Sequence, residues 1–177
     1  MDKKLDFDRI TISPLEECDI PTILEIECDS QLDPWNEKAF VEETKRVNSK
    51  LMVARLSTGV CGGAPDHRAA AGGRNAGVVA GYICFWAVGD EIQILNLAVR
   101  KSLRRIGVAR RLIEFAIQTG NSRHARFVSL EVRQSNLAAR KLYESLGFRV
   151  VGERPGYYGV QKESAILMEL EIRDLPV

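Results

Sequence analysis

A chain of 177 residues, 45% apolar and 28% charged, has the size and mix of a single globular domain and is too apolar for a disordered one. With 25 Lys and Arg against 24 Asp and Glu, its formal charge of +1 excludes a protein held to nucleic acid mainly by bulk charge. No apolar run approaches the roughly 18–20 residues that span a bilayer, and the charged stretch 1–9 lacks the apolar centre of a secretory signal.

Cys18, Cys28, Cys61 and Cys84 are irregularly spaced and form no CxxC pair. Only His67 and His124 stand beside them, so the reading is reduced thiols in a cytoplasmic protein with no metal site.

Residues 9–12 (RITI) alternate and read as a first strand. Asp19 reads as the cap of a helix over 20–28, with Pro21 tolerated in its first turn. Asp33, Pro34 and Trp35 make a turn, and Asn36 caps a second helix to about residue 47. Residues 51–56 read as a strand. The glycine-rich segment 58–77 reads as a long mobile loop between two strands. It has no following helix and no GK[ST], so it lacks the context of a phosphate loop.

Residues 78–87 and 92–99 carry the strongest strand signals, with Gly89 and Asp90 as a tight hairpin turn. A helix over 107–119, a strand over 127–132 and a helix over 136–146 closed by Gly147 follow. Residues 148–152 and 165–172 read as two last strands. The order predicts one α/β domain over 1–177, a mixed sheet with helices on both faces.

Three segments bear on chemistry. Arg104, Arg105, Ile106, Gly107, Val108 and Ala109 lie between a strand and a helix start. They read either as a basic loop or as an anion site, where unpaired amides and the helix dipole take a pyrophosphate. Glu131 follows apolar residues at the end of the next strand, as a solvated carboxylate or a desolvated general base. Tyr143 shares a helix face with Ala139, Leu142 and Leu146, as a core aromatic or a proton donor.

The R-x-x-G-x-A turn, followed by N-x-x-A-x-x-L-Y-x-x-x-G-F, resembles the GNAT superfamily of acetyl-CoA-dependent N-acetyltransferases. LNLAV, LEVR-x-SN-x-AA, LYESLGF, the Gly156-Tyr157-Tyr158 run and the Pro34-Trp35 turn resemble its RimI-type ribosomal-protein-alanine branch. The resemblance covers the chain from Ile10 to about Leu170 and implies a central mixed sheet of about seven strands.

It also implies site roles. The backbone of Leu97, Ala98 and Val99 pairs with the pantetheine arm, on a strand that carries a bulge. Arg104 joins the cofactor site, and Arg105 through Arg110 wrap the pyrophosphate. Asn136 contacts the cofactor. Glu131 is the general base and Tyr143 the general acid, in direct transfer without an acetyl-enzyme. Trp35, Tyr157 and Tyr158, the last two on the loop before the final strand, hold the acceptor. That acceptor is a protein N-terminus, with a ribosomal protein's alanine first in line; a lysine, a small amine or a non-catalytic binding module are the alternatives. Ile106 departs from the pattern, which commonly has a third basic residue there.

Overall fold

The computed structural model describes residues 9–57, 77–159 and 162–172. The charged stretch 1–8 and the segment 58–76, which the sequence reads as a loop, lie outside the described residues. Seven strands, β1 (Ile10–Pro14), β2 (Ser49–Leu56), β3 (Val78–Val88), β4 (Glu91–Val99), β5 (Phe127–Arg133), β6 (Arg149–Tyr158) and β7 (Glu163–Glu171), form one sheet. Its order is β1-β2-β3-β4-β5-β7-β6. All neighbours are antiparallel except β4 and β5.

Helices α1 (Ile20–Cys28), α2 (Glu37–Lys45), α3 (Val108–Ser122) and α4 (Leu137–Ser145) cover the two faces, as the sequence order implies. Ile23, Ile26 and Phe40 of α1 and α2 pack with Val53 and Tyr82 on one side. Leu112 and Ile113 of α3 and Tyr143 of α4 pack with Phe85, Ile92 and Val128 on the other. Leu112 and Ile113 are fully buried, each worth about 1.5–3 kcal/mol of transfer free energy. Covered on both faces, β3 is buried from Val79 to Phe85 and reads as a continuous apolar run. β6 is exposed along most of its length. Its Arg149, Glu153, Arg154 and Pro155 suit an edge strand, where charge and proline discourage further pairing. Among the described residues no helix is long and apolar enough to cross a membrane.

Local signals place most elements. Asn36 Oδ1 accepts the Ala39 N–H at 2.9 Å and starts α2. Asn136 Oδ1 accepts the Ala139 N–H at 3.1 Å and starts α4. Asp19 does not cap α1. Its backbone is helical, its carboxylate accepts the Glu16 N–H at 2.9 Å, and it pairs with buried Arg55 at 2.6 Å. An unpaired charge at Arg55 would cost about 3–5 kcal/mol, which outweighs about 1 kcal/mol for a cap.

Other boundaries also differ. α2 stops at Lys45, leaving Val47 exposed beyond it. β6 runs on to Tyr158, so Tyr157 and Tyr158 end a strand instead of lying in the loop before β7. That end is irregular: Arg154 faces Ala165 and Tyr158 faces Glu163, so three residues, with Gly156 at φ +67°, oppose one.

Candidate active site

The two parallel strands pair only from Glu91 and Phe127 to Ile94 and Leu130. Beyond that point β4 stays with β3 and β5 stays with β7, so the strands part. The register of β4 slips there: Ile94 faces Phe85 and Asn96 faces Cys84, which makes Leu95 an extra residue. A bulge of this kind bends its strand and frees backbone groups from the ladder. The gap opens into a cleft of about 680 Å³ at the carboxyl ends of the two strands. α3 and α4 each begin there, with their positive dipole ends toward it.

Leu97, Ala98 and Val99 line one side of the cleft, followed by Arg104, Arg105, Gly107, Val108, Ala109 and Arg110. Arg105 (φ +66°) and Gly107 (φ +93°) both take left-handed backbone. At Gly107 a β-carbon would be strained, so the residue type and the turn agree. Alternation of this sort turns successive amides toward one concavity at the start of a 15-residue helix. Arg104 donates to the Val99 carbonyl at 3.1 Å and to Ser30 Oγ at 2.9 Å, which ties the turn to β4 and to the segment after α1. Arg110 donates to Ser145 Oγ at 2.7 Å, across to α4. Ile106 packs on the core and is not among the lining residues.

Glu131 and Tyr143 both line the cleft, from different sides. Along β5 Leu130 and Val132 point into the core that contains Tyr143, and Glu131 points to the opposite face. The Glu131 side chain is 21% exposed and pairs with Arg154 at 3.2 Å. The charge of the same carboxylate, and then some burial, raises the Tyr157 phenol above its ordinary value. Tyr157 is half exposed at the rim, outside the lining itself. Tyr158 lines the cleft and lies over the Arg133 guanidinium, 4.1 Å from ring centre to Cζ. Its phenol is raised first by burial and then by Glu131. Tyr143 packs on Phe148, with centroids 5.8 Å apart, and burial pushes its phenol up to about 12.

Trp35 lines the cleft from the turn after α1, stacked obliquely on Phe40 with centroids 5.4 Å apart. Arg133 joins that turn to the rest of the site: it pairs with Asp33, and with Glu163 at 3.2 Å. Asn136 also lines the cleft, with its Oδ1 committed to capping α4. The cleft thus brings together every site residue named from the sequence except Ile106 and Tyr157, which sits at its edge.

Sequence reasoning missed Glu27, Gln31 and Asn96, which also line it. A signal existed for two of them. Glu27 sits on the apolar stripe of α1 with Ile23 and Ile26, and Asn96 is a lone amide within LNLAV.

A sequence profile of the acetyltransferase (GNAT) family matches residues 20–148. The chain belongs to this family. It is an acetyl-CoA-dependent N-acetyltransferase. The ribosomal protein bS18-alanine N-acetyltransferase of Escherichia coli (strain K12) is 33% identical over 164 residues, 92% of this chain and 97% of that protein. The crystal structure of the ribosomal-protein-S18-alanine N-acetyltransferase from Escherichia coli matches with a TM-score of 0.73 at 32% identity, over 92% of this chain and 94% of that one. Arabidopsis thaliana NAA60 in complex with acetyl-CoA matches with a TM-score of 0.78 over 92% of this chain and 98% of that one. At 19% identity that likeness is one of fold.

Proposed function

We propose that this GNAT enzyme transfers the acetyl group of acetyl-CoA to the N-terminal α-amine of a protein, and that the acceptor is the N-terminal alanine of a ribosomal protein. The observation that carries this reading is the 33% identity to a ribosomal-protein-alanine N-acetyltransferase over 92% of the chain.

The residues present fit acetyl-CoA. Past Ile94, the β5 side of β4 has no strand partner among the described residues, so an extended arm can add to it as a strand does. We assign this to the backbone of Leu97, Ala98 and Val99. The amides of residues 104–110, from the turn with left-handed Arg105 and Gly107 into the first turn of α3, suit a pyrophosphate. The Asn136 amide group is a further donor to the same ligand. Bound acetyl-CoA supplies an acetyl group activated as a thioester.

The protein's own groups do the proton work. An α-amine has a pKa of about 7.7–8.0, so it must shed a proton to attack near neutral pH. Glu131 is the carboxylate assigned to take that proton, directly or through one water. Tyr143 keeps its phenolic proton up to about 12. It is the donor assigned to the leaving sulfur. Trp35, Tyr157 and Tyr158 hold the acceptor's first residues, and we assign the enzyme to the cytoplasm with its ribosomal acceptor.

The test is mass spectrometry of a peptide panel incubated with the protein and acetyl-CoA. Peptides differ in their first residue, carry an internal lysine, or are N-terminally blocked. Acetylation confined to free α-amines and strongest on alanine is expected. Transfer to lysine, or to no peptide, refutes the assignment of acceptor.

A further inference from the structure

The wall of the cleft holds a buried carboxylate that the proposed chemistry does not use. Glu27 of α1 is fully buried. Three donors reach it: the Trp35 N–H at 2.8 Å, the Asn96 amide at 2.9 Å and the Tyr82 hydroxyl. Gln31, one turn further on, donates to Asn96 Oδ1 at 3.0 Å and to the Leu97 carbonyl at 3.4 Å. A carboxylate stripped of water persists where protein donors replace its hydration, and here they do.

Filling the apolar stripe of α1 requires no charge, since Ile23 and Ile26 already do so. What the carboxylate adds is direction. Trp35 belongs to the turn that lines the acceptor side of the cleft, and Asn96 directly follows the bulge residue Leu95 on the donor side. The same oxygen, Oε1, accepts from both.

We infer that Glu27 is a positioning residue: it clamps the turn between α1 and α2 to the bulged strand β4 and so sets the width of the acceptor entrance. Its kinetic consequence rests on the proposed acetyl transfer; its structural consequence does not. Tyr82 uses the other oxygen, Oε2, and lies on neither wall of the cleft. It therefore separates positioning from general loosening of the core.

The experiment compares Glu27→Leu, Glu27→Gln and Tyr82→Phe, with Trp86→Phe as background so that Trp35 is the sole tryptophan. Acrylamide quenching of Trp35 fluorescence reads the turn, titration reads acetyl-CoA affinity, and acetylation of an alanine-initiated peptide reads KM and kcat. Glu27→Leu is expected to raise the quenching constant at least twofold and the peptide KM at least tenfold, with acetyl-CoA affinity within threefold. Glu27→Gln retains an oxygen for Trp35 and Asn96 and offers its amide to the Tyr82 oxygen, so it stays within threefold throughout. Tyr82→Phe leaves quenching and peptide KM unchanged.

Unchanged quenching in Glu27→Leu, or a Tyr82→Phe enzyme that behaves like it, overturns the inference. If wild-type protein acetylates no peptide, the proposed function falls, and the quenching comparison alone decides the role of Glu27. If Glu27→Leu does not fold, Gln31→Leu takes its place, because Gln31 is only half buried. A threefold or larger rise in peptide KM is then expected, and an unchanged KM overturns the inference.

Discussion

Replacing Tyr143 by Phe removes one hydroxyl and keeps the ring on Phe148, where the centroids are 5.8 Å apart. The fold should hardly notice: a loss of 1 kcal/mol would lower Tm by about 2–4 °C in a chain of this size, and a smaller shift is expected. Catalysis should notice strongly. A positioned general acid contributes roughly 10²–10⁴-fold, or about 3–5 kcal/mol of barrier. Burial raises the Tyr143 phenol from 10 to about 12. The sign follows directly: the acid form persists as pH rises through 7 to 10, and it is lost only as pH passes through the raised value. Wild-type kcat therefore has no basic limb from Tyr143 below about pH 11. The assay is release of the coenzyme thiol from pH 6 to 10, with single-turnover measurements to confirm that chemistry limits the rate. Tyr143→Phe should lower kcat at least a hundredfold across that range, with acetyl-CoA affinity within threefold. A kcat within tenfold of wild type, with chemistry limiting, refutes the reasoning. So does a basic limb near pH 9 that the substitution removes.

Glu131→Gln should lower kcat about a hundredfold or more and leave Tm nearly unchanged, because the ion pair to Arg154 is partly exposed and worth about 0–1 kcal/mol; steady-state kinetics beside a thermal melt checks both halves. Gly81→Ala would put a β-carbon 2.6 Å from the Ala98 carbonyl oxygen and 3.2 Å from Val99 Cα, backbone that cannot swing aside. It should cost about 1–3 kcal/mol and weaken acetyl-CoA binding by displacing the donor strand. Wild-type Tm and donor affinity together would contradict this.

Much of the architecture was legible in short stretches of chain. The alternation of residues 127–132, the Asn36 cap and the glycine after α4 each report on neighbours a few residues away. The motif around Gly107 was legible for the same reason: its left-handed turn and the helix after it are local. Asp19 was misread because its carboxylate has a choice. The cap is a local option, but the buried Arg55, 36 residues on, offers the stronger partner. The end of β6 was misread because Pro155 and Gly156 signal a turn, and the pairing that recovers at Tyr158 depends on β7.

The sequence by itself determined which segments would be helix or strand, the turn that opens α3, and the residue types offered to the cleft. These follow from backbone preference and side-chain periodicity, whose range is one or two turns. Only the tertiary structure decided that β7 inserts between β5 and β6, and that β4 and β5 part after Ile94 and Leu130. It alone brought Glu27 to Tyr82 and Asn96, 55 and 69 residues away. Such contacts depend on strand order and on which face of the sheet each helix covers. Those are settled by burial of the whole core, a sum over distant residues that no local window contains.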